Sequence, residues 1–141
     1  MTVAISTDAA QSGWLKIRIV GNAVAAGIVG SVANPEGVPL QIVRGVIYFT
    51  TGSTAASTYN IGIGASAVAD YSDLMSAFAV NAAATTVWQV VGQDLASEGA
   101  AVTPKGLLWP AASFLTVTSA AQASTGLVAD LFLQYVRLSV A

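Results

Sequence analysis

At 141 residues the chain has the length of one ordinary domain, and no shift in composition divides it. It contains no Cys and no His. That excludes a disulfide framework, a thiolate nucleophile and a Cys-ligated zinc or iron–sulfur centre, and it removes the side chain best suited to proton transfer near neutral pH. Five basic and seven acidic residues leave a net charge of -2, and charged residues make up 9% of the chain against 55% hydrophobic. A soluble domain ordinarily carries charge on about a quarter of its residues. A chain of this size buries only about two-thirds of its unfolded surface by folding. The apolar surface that remains is therefore expected to meet other copies or partners.

In chain order, residues 1–13 read as a small, polar N-terminal arm, and residues 14–141 as a single β-sandwich domain. From Trp14 to Val20 the residues alternate, with Leu15, Ile17 and Ile19 on one side and Lys16 and Arg18 on the other. A period of two marks a half-buried strand. Ala23 to Ala33 reads as a second strand or extended segment, closed by the turn Asn34-Pro35-Glu36-Gly37, where Pro sets φ and Gly permits positive φ. Leu40 to Thr51 is the strongest strand, dense in β-branched and aromatic residues. Val43, Ile47 and Phe49 on one parity and Ile42, Val46 and Tyr48 on the other make it apolar on both faces, as in a central or covered strand.

Thr58 to Gly64 is a further strand, with Tyr59, Ile61 and Ile63 facing one way. Asp70 to Asn81 fits a short helix or a strand equally. Ala82 to Ala84 is a turn, Thr86 to Gly92 a short strand around Trp88, and Asp94 to Gly106 an exposed loop ended by Trp109-Pro110. Phe114 to Ser119 and Leu127 to Val140 are the closing strands. Seven or eight strands between Gly, Pro, Ser and Thr turns predict an all-β, antiparallel, jelly-roll-like β-sandwich.

Chemistry-bearing clusters are sparse. Asp70 and Asp73 are the best pair for acid–base work or calcium, yet two carboxylates do not complete a calcium shell, and Asp is common in turns and at helix starts. Asp94 and Glu98 read as loop solvation. Gly62-Ile63-Gly64 lacks the remaining residues of a phosphate loop, and no serine nucleophile has a His to serve it. No catalytic residue, cofactor or metal is expected. Lys16 and Arg18 are the nearest approach to a basic cluster, so no nucleic-acid partner is expected. The apolar run Ile19 to Pro35 is too short and too rich in Gly and Asn to span a membrane, and Met1 to Asp8 lacks the features of a secretory signal. Candidate contacts to subunits or partners are Trp14, Arg44, Trp109 and Arg137. The two arginines lie in apolar strands and want a carboxylate or carbonyl, for which a neighbouring subunit is one source and a strand edge that lets them reach water is the other. Trp109, beside a loop, is expected to be the most available of the three tryptophans, with Trp88 in the core.

Asn34 to Gly64 (NPEGVPLQIVRGVIYFTTGSTAASTYNIGIG), Ser72 to Val80 (SDLMSAFAV) and Leu108 to Leu138 (LWPAASFLTVTSAAQASTGLVADLFLQYVRL) together resemble a group of small bacteriophage virion proteins of the head-decoration, or capsid-cement, jelly-roll type. The features in common are an Asn-Pro-x-Gly turn before a strand, an Ala/Thr-rich turn before Ile-Gly-Ile-Gly, and a closing Gly-Leu-Val…Tyr-Val strand. The segment Asp94 to Lys105 departs from that pattern. The resemblance implies a non-enzymatic homotrimer, made in the host cytoplasm, that sits on the capsid exterior against the major capsid protein. The other expectation is a receptor- or glycan-binding jelly-roll module of a fibre or tail, acting through Trp109 and the 94–105 loop.

Overall fold

A computed structural model describes residues 12–80, 87–91, 107–120 and 122–138, with the backbone alone at 87–91. Most of the arm, the 82–84 turn, the Trp88 side chain and the Asp94–Lys105 loop lie outside the described residues. Within them every regular element is a strand: β1 (Ser12–Val20), β2 (Gly27–Ala33), β3 (Leu40–Thr51), β4 (Thr58–Gly64), β5 (Met75–Ala79), β6 (Val87–Val91), β7 (Leu107–Trp109), β8 (Phe114–Ser119) and β9 (Val128–Arg137). The ambiguous 70–81 stretch resolves as the strand β5. Three residues of β7 are too few to display a period, and that element had no counterpart in the sequence reading.

All pairings are antiparallel. Sheet A runs β1-β9-β3-β6, with β7 sharing the β6 edge of β3, and sheet B runs β2-β8-β4-β5. The pairs β1·β9, β2·β8, β3·β6 and β4·β5 nest like one long hairpin wound over two sheets. That is the jelly roll, built here from eight strands with β7 as an extra rung.

Strand alternation fills the space between the sheets. Ile17 and Ile19 of β1, Tyr59, Ile61 and Ile63 of β4, Leu115 and Val117 of β8, and Ala129, Leu131, Leu133 and Tyr135 of β9 are all buried. Phe49 of sheet A stacks on Phe78 of sheet B with ring centroids 5.6 Å apart, joining the layers through two aromatic faces. The buried Tyr59 hydroxyl donates to Ser124 Oγ at 2.6 Å, so the polar end of that ring is satisfied within the core.

Two local devices set this packing. In β3 the register against β9 slips between Ile42 and Arg44, leaving Val43 as an extra residue. Before the bulge Leu40 and Ile42 are buried; after it the buried residues are Gly45, Ile47 and Phe49, while Val43 and Arg44 are both exposed. The change of parity explains why the strand looks apolar on both faces. In β4 the glycines of Ile-Gly-Ile-Gly face outward, and the 65–73 segment lies against them. A Cβ on Gly64 would stand 2.0 Å from the Tyr71 ring, and one on Gly62 would stand 2.5 Å from the Tyr71 backbone. The motif is a seat for Tyr71, whose hydroxyl accepts from Ser66 N at 3.1 Å.

Deleting Val43 removes the extra residue and leaves Leu40, Ile42, Gly45, Ile47 and Phe49 on one face by plain alternation, so that variant should keep a cooperative urea unfolding transition, whereas inserting a residue between Gly45 and Val46 should abolish it. Val43→Ser keeps the bulge and should change stability by no more than about 0.5 kcal/mol. Gly64→Ala forces Tyr71 off its seat and should cost about 1–3 kcal/mol in the same assay.

Candidate interaction surface

Because β9 runs between β1 and β3, cross-strand neighbours form short rows on the outer face of sheet A. Gln134 lies between Trp14 and Arg44, Phe132 between Lys16 and Val46, and Asp130 between Arg18 and Tyr48. Lys16 Nζ sits 5.8 Å from the centre of the Phe132 ring. Arg18 grips Asp130 with two hydrogen bonds, Nε to Oδ1 at 3.1 Å and Nη2 to Oδ2 at 3.2 Å. That grip holds the Asp130 carboxyl below its ordinary range and the Arg18 guanidinium above its own. Apolar side chains are exposed around these rows: Trp14 at 55%, Leu108 at 51%, Val43 at 39% and Tyr48 at 37%.

Among the described residues the face therefore joins aromatic and aliphatic surface to three cations and one carboxylate, a net of two positive charges. Arg44 joins Lys16 and Arg18, the nearest approach to a basic cluster in the sequence, in one basic patch that chain order alone does not display. One part of it was legible: Trp14 shares the parity of Lys16 and Arg18, so an inward Leu15-Ile17-Ile19 face places all three outward together.

The expected contact residues separate. Trp14 and Arg44 lie on this face. Among the described residues Arg44 has no ion-pair partner, and its place on the outer face means that the strand leads its guanidinium to water. Trp109 is a correction, because it is fully buried on the inner face of β7 and its indole N–H donates to the Ser113 carbonyl at 3.2 Å. It cannot be a surface or glycan contact in this fold. Its place is fixed by Asn34, whose side-chain amide donates to the carbonyls of Val38, Trp109 and Pro110. The Asn34 Oδ1 accepts from the amides of Glu36 and Gly37, and Gly37 takes φ 69° to close the turn.

Arg137 finds its carboxylate within the same chain. Its Nε donates to Glu36 Oε2 at 2.9 Å and its Nη2 to Glu36 Oε1 at 3.2 Å, and the Tyr135 hydroxyl donates to Glu36 Oε1 at 2.7 Å. Hydrogen bonds from Arg137 and then Tyr135 hold the Glu36 carboxyl below its ordinary range. Burial, helped by that carboxylate, pushes the Tyr135 phenol up. No neighbouring subunit is needed to supply Arg137.

Asp70 and Asp73 do not converge on a reacting centre. The Asn60 amide donates to both Asp70 oxygens at 3.1 Å, and Thr118 Oγ1 donates to Oδ1 at 2.6 Å, tying the 65–73 segment to the outer face of sheet B. Among the described residues no three acidic side chains gather to hold a metal ion, and no helix is long and apolar enough to cross a membrane. At the open side of the sandwich, between the edge strands β1 and β2, a cleft of about 110 Å³ is lined by Ile17, Ile19, Val29, Val32, Leu115 and Val117.

The Glu36 and Asp130 carboxylates are both depressed by their partners, so each stabilises the fold above its unfolded titration range and loses that effect as pH falls through its folded value. Urea unfolding from about pH 7 down to about pH 3 should show stability falling below about pH 4. Glu36→Gln should start less stable at neutral pH and lose less on acidification.

No family model matches the chain, and no curated protein matches it. Among solved structures it is similar to a chain of the capsid of Ralstonia phage GP4, with a TM-score of 0.56 and 14% sequence identity, over 99% of this chain and 93% of that one. At that identity the likeness establishes a shared fold across the whole length of both chains.

Proposed function

We propose that this chain is a structural protein of a bacteriophage virion: a decoration, or cement, protein that forms homotrimers on the capsid exterior and reinforces the major capsid protein shell without performing a reaction. The observation that carries the reading is a jelly roll matching a phage capsid chain from end to end, with an outer sheet face left apolar and cationic. Such a protein works by mass action. Each copy that covers apolar surface against its neighbours adds binding free energy to the folded shell, and low net charge limits repulsion between close-packed copies. The fibre or tail alternative would need its own binding surface, and the tryptophan expected to provide it is in the core.

Native mass measurement should give a trimer, and the purified protein should rebind to particles stripped of it, raising the temperature at which they release DNA. Failure to rebind, with the fold intact, would overturn the decoration role.

A further inference from the structure

Charge is divided between the two outer surfaces of the sandwich. Among the described residues, sheet A presents Lys16, Arg18 and Arg44 with Asp130, leaving two positive charges set among Trp14, Tyr48 and Phe132. On the opposite layer, the 65–73 segment covering sheet B presents Asp70 and Asp73, both exposed, and no cation. Its tip is Val68, at 77% the most exposed large apolar side chain among the described residues. One surface is a cationic, aromatic floor, and the other is an apolar tip flanked by carboxylates. The remaining described ion pair, Arg137 with Glu36, is partly exposed and carries no net charge.

We propose that copies of this chain associate head to tail, with the outer face of sheet A in one copy seated on the 65–73 segment of the next. The charges choose this arrangement over a two-fold one. Placing two sheet A faces together would set Lys16 and Arg44 against the same cations of a second copy, and like charges across an interface oppose binding strongly. Placing two 65–73 segments together would oppose carboxylates. Only the heterologous pairing brings opposite charges together while covering Trp14, Tyr48 and Val68. Because the two surfaces lie on opposite layers of the sandwich, this heterologous contact joins copies in a row and is separate from the contact that closes a trimer. The inference rests on the self-assembling reading above but not on attachment to any shell.

The 65–73 segment is suited to the task because it is held rigidly. Tyr71 lies on the Gly62–Gly64 seat, and Asp70 is bonded to Asn60 and Thr118 while keeping its charge at the surface. Ordering it on binding therefore loses little conformational freedom.

The test uses two variants of the full chain, Lys16→Glu/Arg44→Glu on the face and Val68→Lys/Asp73→Lys on the segment. All four side chains are exposed, so both variants should keep the wild-type melting transition. Sedimentation of each alone should show association into rows weakened about 100-fold or more relative to wild type. Mixed in equal amounts they should associate again, since one supplies an intact segment and the other an intact face. Wild-type association should also weaken with added salt. The proposal is overturned if either variant alone still forms rows, or if the mixture restores no association while wild type forms rows. It is overturned equally if wild type forms no rows and its sheet A face binds a single-stranded oligonucleotide instead. Rebinding to stripped particles is read separately, so loss of the head-to-tail contact and loss of the decoration role give different results.

Discussion

One extra residue in the central strand of sheet A governs much of what this molecule presents to its surroundings. The side-chain period of a strand is two, so a single inserted residue moves everything after it to the other face. Were Val43 kept but paired in regular alternation rather than bulged, the parity that buries Leu40 and Ile42 would also bury Arg44 and Tyr48 and expose Ile47 and Phe49. With the bulge, the first half of β3 closes the core against β7 and β9, and the second half places Phe49 against Phe78 of the other sheet. A strand with apolar residues on both sides thereby serves a core that lies on one side only.

The same bulge gives the outer face its character. Arg44 reaches water across Gln134 from Trp14, and Tyr48 emerges across Asp130 from Arg18. The central strand β9 supplies the means of bringing them together, because it pairs with β1 on one side and β3 on the other. Residues more than a hundred positions apart thus become cross-strand neighbours. Asp130 is covered by Arg18, and Phe132 carries Lys16 over its ring, so part of the positive charge is held close to aromatic surface rather than extended into solvent. A surface of this kind is well matched to an apolar partner with a few carboxylates.

Sheet B solves a different problem. Its outward glycines leave space that a crossover segment fills, so a single tyrosine and an aspartate hold nine residues of chain against the sheet. Asp70, which looks like a catalytic candidate in the sequence, is used there to hold the segment in place. At the end of the sandwich the Asn34 turn does comparable work, holding the Trp109 corner with one end of its amide and shaping the Glu36 loop with the other. Polar groups in this protein mainly brace turns.

Several elements were legible from the residues alone. The alternation in β1, the boundaries of β3, β4 and β8, and the Asn-Pro-Glu-Gly turn all follow from local periodicity and from the φ preferences of Pro and Gly, and the structure has them where expected. Local pattern also establishes that each strand has two faces. It does not say which face turns inward when both are apolar, and it carries no trace of a bulge, because a bulge is defined by the partner strand. That is why Trp109 was expected outside and lies inside, and why a neighbouring subunit or a strand edge was expected to satisfy Arg137 when Glu36 stood across the fold. It is also why Arg44 of β3 gave no sign of joining Lys16 and Arg18 of β1 in one patch. Composition and period determined the class of fold and the excess of apolar surface. Long-range strand pairing, which depends on closing chain loops of a hundred residues or more, decided which side chains meet.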